Sequence, residues 1–473
     1  MKTYFSFGSI GVKELAQMCE GEPIGLEYPS VSITGICTDS READRDTVFC
    51  ALRGERVDGH DYIGAAIAQG CRVILCEELR LEIKEAGAIA ILCKNTENAL
   101  SVLAKNYRRQ LPCKTVAVTG SVGKTTTKDM IASVLSSGLS AFKTKGNFNS
   151  VIGMPLSMLE IPRDTDCAVL EMGMSGFGEI ERLSLAAEPD FAVITTIGTS
   201  HMEMLGSREN ICRAKLEVLC GLRRGGVLLL NGDEPLLSNV YGKSYSTLYV
   251  STMRENADFF AKNIRVETDG TRFDLIYKGQ TVKDLYVRVV GKHNVYSALF
   301  AFAIGTLCNL SEEQIRAGLL TFTPEKLRQN IVSIGGMTLM EDCYNASPES
   351  MQAALDVLRA YSDLTGGRSV AVLGDMLELG EESSALHRQV GAYAARLGIA
   401  KLITLGKGGN YIAVGAKQCG MKREAIVEHT GYADLDAVGA SLMQELRSGD
   451  VVLFKASRAL GIERLIQYVK SHL

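Results

Sequence analysis

The segment TVAVTGSVGKTTT, residues 115–127, decides the architecture of this chain. An apolar, strand-like run over residues 115–119 leads into a glycine-rich turn, and a helical pattern begins at about Thr125. This order of strand, glycine turn and helix is the context that a phosphate-binding loop requires. The glycines let backbone N–H groups face an anion, and the start of the helix adds partial positive charge. The segment therefore predicts a phosphate-binding loop in an α/β sheet.

The candidate phosphate-binding residues are Gly120, Ser121, Val122, Gly123, Lys124, Thr125 and Thr126. In such a loop the lysine reaches the terminal phosphates, and the hydroxyl after it binds Mg²⁺. Position 118 is Val, where the general motif G-x-x-x-x-G-K-[ST] has its first Gly, and a plain glycine turn capping a helix is the alternative interpretation. Switches, motors, transporters and ligases all use this loop, so other residues must identify the reaction.

The composition excludes several classes of protein. The 473 residues suffice for two to four domains, and 46% hydrophobic with 22% charged residues is typical of soluble globular proteins. The net charge of -4 gives no basic excess for nucleic acid or a membrane surface. Neither a signal peptide nor a transmembrane helix is expected. The 13 cysteines include no C-x-x-C pair and several lie in apolar runs, such as Cys167 and Cys220, which predicts reduced core thiols in a cytoplasmic protein without zinc.

Three stretches with different patterns predict three α/β domains. Residues 1–109 alternate short apolar runs with helical patterns. Residues 110–323 alternate strands and helices, which predicts a mostly parallel sheet, and a period of two near residues 259–290 predicts antiparallel strands beside it. Residues 324–473 repeat the α/β pattern in a Rossmann-like form. Ligands of such sheets bind beyond the carboxyl ends of the strands.

Polar residues follow two of the apolar runs in the second stretch. Glu171 ends the run over residues 167–170, and His201 follows the run over residues 191–195. If these strands neighbour the phosphate loop, Glu171 would hold Mg²⁺ and His201 a second metal ion. An exposed strand-end carboxylate and a structural histidine are the alternative interpretations. Lys215, on a later helix, alone suggests a solvated charge.

Taken together, these residues resemble the Mur ligase family. GSVGKTTT at 120–127, EMG at 171–173, His201, Lys215 and GKHN at 291–294 occur in the order and approximate spacing of that family. The resemblance spans essentially the whole chain. It implies an N-terminal UDP-substrate domain, a central P-loop ATPase-type domain with a mostly parallel sheet, and a C-terminal Rossmann-like domain.

Other motifs resemble one branch of the family. TDSR at 38–41 and DGH at 58–60 resemble a UDP-sugar domain, while KGNFN at 145–149, DCYNASP at 342–348 and LGDMLELG at 373–380 resemble the branch that adds D-alanyl-D-alanine. The tripeptide-forming branch would carry D-Y-A-H-T-P where DCYNASP stands. A departure is KASR at 455–458, where K-G-S-R is expected. Tripeptide formation and folylpolyglutamate synthesis are the nearest alternatives. A non-ligase P-loop module is another, although the guanine motif N-K-x-D is absent.

The resemblance implies an ATP-dependent ligase that joins D-alanyl-D-alanine to UDP-N-acetylmuramoyl-tripeptide through an acyl phosphate in peptidoglycan precursor synthesis. It implies small-molecule partners, a monomer as the default, a cytoplasmic location, and neither nucleic acid nor membrane insertion. The implied cofactors are ATP and two Mg²⁺.

The resemblance also assigns roles to residues. The implied catalytic residues are Lys124, Glu171, His201 and Lys215, and the implied metal ligands are Thr125, Glu171, His201 and a carbamylated Lys215. Asn294 would contact adenine, Arg328 the phosphates and Asp342 the ribose. A helix cap, a surface charge and a turn residue are the respective alternatives. The implied substrate-binding residues are Ser40, Arg41, Asn147, Asn149, Asn345 and Ser347.

Overall fold

The computed structural model describes residues 1–25, 31–54, 56–432 and 434–473. They form three large α/β sheets that follow one another along the chain, which confirms the predicted fold class. Among the described residues, no helix is both long and apolar enough to cross a membrane.

The first sheet has the strand order β1-β5-β6-β7-β8-β3, and β2 pairs with β4 separately. Its strands β5 to β8 are parallel and buried on both faces, which explains their continuous apolar sequence. The strands of this region are β1 Lys2–Tyr4, β2 Ile10–Gly11, β3 Glu22–Ile24, β4 Ser32–Ile33, β5 Gly35–Cys37, β6 Thr47–Cys50, β7 Val73–Cys76 and β8 Ile89–Leu92. The helices are α1 Val12–Met18, α2 Ile63–Ala68, α3 Leu81–Glu85 and α4 Thr96–Gln110.

The central sheet has nine strands in the order β10-β11-β9-β12-β13-β14-β15-β16-β17. The pairs from β10 to β15 are parallel, and the last two pairs are antiparallel, as the change of period predicts. The strands are β9 Lys114–Thr119, β10 Ala141–Lys143, β11 Cys167–Glu171, β12 Phe191–Ile194, β13 Val227–Asn231, β14 Ser246–Ser251, β15 Phe259–Val266, β16 Thr271–Tyr277 and β17 Gln280–Val287. The helices are α5 Lys124–Leu135, α6 Gly153–Met158, α7 Glu179–Ala187, α8 Met202–Leu205, α9 Arg208–Leu216, α10 Asn294–Leu307 and α11 Glu312–Thr321.

The third sheet has the order β18-β19-β23-β20-β21-β22, parallel except for the edge strand β18. Its strands are β18 Asn330–Ile334, β19 Met337–Glu341, β20 Arg368–Leu373, β21 Lys401–Leu405, β22 Ile426–His429 and β23 Asp450–Lys455. The helices are α12 Pro348–Thr365, α13 Ser383–Arg396, α14 Gly406–Gln418, α15 Leu435–Glu445 and α16 Glu463–Ser471.

The predicted domain boundaries and the predicted core cysteines can be compared with the structure. The predicted boundary at residue 109 falls near the end of α4, and the one at residue 323 falls between α11 and β18. All 13 cysteines are free thiols, and most are buried. The prediction that Cys220 is a core thiol is wrong, because this residue ends the short 3-10 helix Glu217–Cys220 and is exposed.

Candidate active site

A cavity of about 640 Å³ lies between the central and third sheets. Strands β11 and β12 flank β9 in parallel, with Glu171 opposite Val118 and Ile194 opposite Thr119. The phosphate loop and the residues that follow both neighbouring strands therefore meet at one sheet edge, as the sequence predicts. Residues from the start of the third sheet and from α12 close the opposite side.

The conformation of the phosphate loop depends on its glycines. Gly120 has a φ of +146°, and a Cβ there would lie 1.9 Å from the hydroxyl oxygen of Thr195. That hydroxyl donates to the carbonyl of Val122 at 2.6 Å, which ties the loop to the end of β12. Gly123 has a φ of +84° and precedes the first residue of α5. A side chain at position 120 would therefore displace the loop from the strand that supports it.

Lys124 lies on the floor of the cavity. Its Nζ donates to the carbonyl of Gly120 at 2.8 Å, so the side chain folds back over the loop. Burial lowers the pKa of this lysine, and the nearby Glu171 carboxylate opposes the shift. The adjacent Thr125 is buried, and it and Thr126 also line the cavity. The loop thus presents a cation and hydroxyl groups toward the cavity.

Glu171 is a buried carboxylate with one oxygen that accepts no hydrogen bond among the described residues. Its Oε1 accepts a hydrogen bond from Nδ2 of Asn149 at 2.8 Å. Its Oε2 has no hydrogen-bond partner among the described residues, and Nζ of the fully buried Lys128 lies 3.6 Å away. A buried carboxylate oxygen of this kind suits a hard cation such as Mg²⁺. Asn147 and Asn149 both line the cavity beside it.

Lys215 is buried, so its interpretation as a solvated charge is wrong. Only 2% of the residue is exposed, and its ammonium has no ion pair among the described residues. Burial, reinforced by the positive charge of Lys124, lowers its pKa well below the ordinary value. Lys215 does not line the cavity itself. The helix α9 therefore carries, near the phosphate loop, an amine whose lowered pKa favours the neutral form.

His201 lines the cavity at the point where the central sheet meets the third one. Its Nδ1 lies 2.8 Å from Oε2 of Glu378, and this close contact lowers the pKa of that carboxyl group. Among the described residues, no group of three or more His, Cys, Asp or Glu side chains is arranged to hold a metal ion. A metal bound by Glu171 or His201 would therefore need further ligands, from phosphate, water or a modified side chain.

Asn294 starts α10 and is held by contacts from both sides of the cavity. Its Nδ2 donates to the carbonyl of Val290 at 3.0 Å and to Oε1 of Gln329 at 2.7 Å. Nε2 of Gln329 lies 3.1 Å from Nε2 of His293. The amide is not an N-terminal helix cap, because His293 occupies that position. This network joins the central sheet to the segment that enters the third one.

Arg328 and Asp342 line the cavity from the third domain. The guanidinium carbon of Arg328 lies 3.9 Å from the ring centroid of Tyr344. Asp342, just after β19, accepts a hydrogen bond from Nζ of Lys455 at 2.6 Å. The third domain thus adds two cations to a cavity that already holds Lys124.

The six predicted substrate residues fall in two places. Asn147, Asn149, Asn345 and Ser347 line the cavity. The hydroxyl of Ser347 caps α12. Ser40 and Arg41 lie in the first domain, outside this cavity, where Arg41 forms hydrogen bonds to both carboxylate oxygens of Asp39. Gly120 and Lys215 also lie outside the lining.

Sequence reasoning missed several residues of the site, among them Lys128, Gln329, Glu378 and Lys455. Two of them stand in motifs that the sequence already singles out, Glu378 in LGDMLELG and Lys455 in KASR. Lys128 and Gln329 lie outside such motifs, and only the fold shows that they approach the cavity.

Comparison with known proteins gives matches along most of the chain. "Mur ligase family, catalytic domain" matches residues 32–108, "Mur ligase middle domain" residues 118–305, and "Mur ligase, glutamate ligase domain" residues 327–458. The UDP-N-acetylmuramoyl-tripeptide--D-alanyl-D-alanine ligase of Bacillus subtilis (strain 168) is 38% identical over 457 residues, covering 96% of this chain and 97% of that protein.

Two solved structures are similar over most of their length. A crystal structure of MurF from Acinetobacter baumannii has a TM-score of 0.89 and 30% identity, covering 98% of this chain and 99% of that one. MurF ligase from Thermotoga maritima in complex with ADP has a TM-score of 0.81 and 27% identity, covering 92% and 97% respectively.

Proposed function

The chain belongs to the Mur ligase family, and we propose that it joins D-alanyl-D-alanine to UDP-N-acetylmuramoyl-tripeptide with ATP, in peptidoglycan precursor synthesis. The observation that carries the proposal is the cavity between two domains. The phosphate loop forms one wall, and Arg328, Asp342 and Lys455 form the other. ATP bound there would contact both domains, and its γ-phosphate would lie beside Lys124.

The reaction has two steps. A carboxylate oxygen of the tripeptide forms a bond to the γ-phosphorus of ATP, the bond to the β–γ bridging oxygen breaks, and ADP leaves with that electron pair. The amine of D-alanyl-D-alanine then attacks the carbonyl carbon of the acyl phosphate. The tetrahedral intermediate expels phosphate, and the amine loses a proton, which leaves the amide.

The main barrier is electrostatic, because a carboxylate must approach a polyphosphate. Such reactions are accelerated by positioning and by fixed positive charge. Lys124 and the N-terminus of α5 supply that charge from the central domain, and Arg328 supplies it from the third domain. Asn294 would contact adenine and Asp342 the ribose, which would place the nucleotide across the cavity.

We propose two Mg²⁺ positions in this site. Thr125 and Oε2 of Glu171, which accepts no hydrogen bond among the described residues, would hold one ion, and His201 with a carbamylated Lys215 would hold the other. Bound there, Mg²⁺ would neutralise charge on the transferring phosphate. The lowered pKa of Lys215 favours the neutral amine, whose nitrogen can form a bond to the carbon of CO₂ and release a proton.

Lys215→Ala tests the carbamate. We expect loss of turnover in the folded variant and partial recovery when a short carboxylic acid is added, because its carboxylate can replace the carbamate. The same acid should leave Lys124→Ala inactive. A folded Lys215→Ala variant that no carboxylic acid rescues would count against the carbamate.

The remaining roles follow the division of the chain into residues 1–109, 110–323 and 324–473. Ser40 and Arg41 would hold the UDP-sugar in the first domain, and Asn147 and Asn149 would contact the tripeptide beside Glu171. Asn345 and Ser347 would contact D-alanyl-D-alanine. We further propose that the protein acts as a monomer in the cytoplasm.

The function is tested by phosphate release from ATP with Mg²⁺ and UDP-N-acetylmuramoyl-tripeptide, with and without D-alanyl-D-alanine. Release that requires both substrates is the expected result. Release with other amino acids but not the dipeptide would keep the reaction and change the substrate. No release with any combination would contradict the proposal.

A further inference from the structure

The loop of residues 374–380 is held rigidly within the third domain. Four consecutive backbone N–H groups each donate to a group of that domain: Gly374 to the Lys455 carbonyl at 2.9 Å, Asp375 to the Tyr432 hydroxyl at 2.8 Å, Met376 to Nε2 of His387 at 2.9 Å and Leu377 to the Ser457 hydroxyl at 3.0 Å. Leu379 is buried in the core of the same domain. The loop is therefore ordered independently of the central domain, and Glu378 projects from it.

Glu378 contacts the central domain through its side chain and its backbone. Its Oε2 lies 2.8 Å from Nδ1 of His201, and its carbonyl accepts a hydrogen bond from the N–H of Glu203 at 3.3 Å. Gly380 comes so close that a Cβ there would lie 3.2 Å from Cα of Glu203. The loop thus docks on the turn that carries His201.

Both partners of this contact adopt an uncommon backbone conformation. His201 has a φ of 65° and Glu378 a φ of 64°, in the left-handed region. Such conformations are strained for residues other than glycine, and they concentrate at functional sites. The Glu378 side chain stays 62% exposed, so its ion pair adds little to folding stability. The contact is better explained by its effect on the position of the imidazole proton of His201.

A carboxylate at Nδ1 determines where the imidazole carries its proton. A proton on Nδ1 faces the Glu378 carboxylate at 2.8 Å, whereas the other tautomer would bring two lone pairs together, so the neutral ring favours Nδ1–H and Nε2 keeps its lone pair. Nε2 has no hydrogen-bond partner among the described residues, and the ring lines the cavity. Metal-binding histidines commonly have this arrangement, with a carboxylate on the nitrogen that does not bind the metal.

We propose that Glu378 is a positioning residue for His201: it fixes the tautomer and orientation of the imidazole when the third domain lies against the central one. The proposal rests on the proposed function, because it assigns His201 to the cation that assists phosphoryl transfer. Under this proposal, His201 is oriented to bind the cation only when the third domain, which would receive the dipeptide, is docked on the central domain.

Glu378→Ala and Glu378→Gln test the proposal in steady-state assays. In Glu378→Ala we expect kcat to fall about tenfold and the Mg²⁺ concentration for half-maximal activity to rise by a similar factor, with an unchanged KM for D-alanyl-D-alanine. Glu378→Gln keeps an acceptor oxygen and should lose less. Glu381→Gln, an exposed change in the short 3-10 helix Gly380–Glu382, is the matched control and should behave as the parent.

A second measurement is independent of turnover. The chain has six histidines, so ¹⁵N spectra of the imidazoles can be assigned with a His201→Asn variant. With ADP and Mg²⁺ at about pH 8, we expect the Nδ1–H tautomer of His201 in the parent and in Glu378→Gln, and a mixture in Glu378→Ala.

Two results would overturn the proposal. One is an unchanged His201 tautomer in Glu378→Ala. The other is a raised KM for the dipeptide at an unchanged Mg²⁺ requirement, which would mean that Glu378 contacts the dipeptide instead. Failure of the proposed function would appear separately, as a parent protein that releases no phosphate, while the spectra would still decide whether Glu378 sets the tautomer.

Discussion

The two interfaces between neighbouring domains are built differently. The first interface, between the N-terminal and central sheets, belongs to one continuous apolar core that runs from Phe5 to Leu237. Within it, the hydroxyl of Tyr107 donates to the Ile161 carbonyl at 2.5 Å, and the buried Arg108 donates to the Ala187 carbonyl at 3.2 Å. The N-terminal and central domains are therefore packed as one unit.

The second interface, between the central and third sheets, surrounds the cavity and is mostly polar. Its contacts include His201 with Glu378, Thr199 with Glu349 and Asn294 with Gln329. Val290 of the central domain is buried in a core of the third domain, and the half-buried Val266 packs against the same core. Polar contacts exchange readily with water, whereas separating an apolar core costs about 25 cal/mol per Å² exposed. We infer that the second interface opens to admit ATP, while the first stays closed.

The largest effect is expected on turnover, from a change in the cavity at the second interface. Lys124→Ala removes a cation from a site that must gather several negative charges, and we expect turnover to fall about 1,000-fold or more. Binding of the UDP-substrate, measured by calorimetry, should persist because Ser40 and Arg41, the residues proposed to hold it, lie in another domain. Near-normal turnover would contradict the phosphate-loop assignment.

The next effect is on the first interface. Arg108→Met leaves buried carbonyls without a donor, including that of Ala187, and we expect the free energy of unfolding in urea to fall by about 3 kcal/mol. The neighbouring Arg109 pairs with Glu188 at the surface, so Arg109→Met is the matched control and should cost about 0.5 kcal/mol. Equal losses in the two variants would show that the first interface is not a buried unit.

Sequence patterns predicted these regions unequally. Continuous apolar runs identified β7, β11 and β12, because parallel strands are buried on both faces. The phosphate loop was predictable because Gly120 and Gly123 adopt positive φ values, which few other residues can adopt. Ala456, which departs from the expected glycine, is accommodated without a left-handed φ, and Gly374 makes room for its methyl group.

The burial of Lys215 and the pairing of His201 with Glu378 were not predictable in this way. Lys215 lies between Arg213 and Glu217 in a sequence that suggests a solvated helix. The pair joins two domains through loops, and no periodicity encodes how two sheets meet. The family resemblance could assign roles to single residues such as His201, but it could not predict the contact of His201 with Glu378.

The third prediction concerns the pH dependence of folding stability through His293, which lies at the second interface. Burial lowers the pKa of His293 from 6.5 to about 4, and its neutral Nε2 can accept a hydrogen bond from Gln329. The unfolded chain therefore binds more protons between these two values. The stabilisation is fully present above about pH 6.5 and is lost as the pH falls toward 4.

We expect this loss to reach about 1–2 kcal/mol, less than the full shift implies, because the ring keeps some contact with solvent. The measurement is urea unfolding at about pH 7.5 and pH 5, for the parent and for His293→Gln, which does not titrate. The variant should lose less stability on acidification. Identical pH dependence would exclude His293 as the titrating group.

The smallest effect is expected from one contact across the second interface. Gly198 faces α12, and a Cβ there would lie 2.8 Å from the carboxylate carbon of Glu349. In Gly198→Ala the flexible Glu349 side chain would turn away and give up its hydrogen bond from Thr199, at 3.2 Å in the parent. We expect the KM for ATP to rise about twofold, with unfolding free energy unchanged within about 0.5 kcal/mol.

A double-mutant cycle separates this contact from a general disturbance of the cavity. Glu349→Ala should raise the KM for ATP by a similar factor, and adding Gly198→Ala to it should have no further effect, because the new methyl group then meets empty space. Additive effects would mean that the alanine acts through the backbone near His201. In that case the docking of α12 on residue 198 would not contribute to closure of the second interface around ATP.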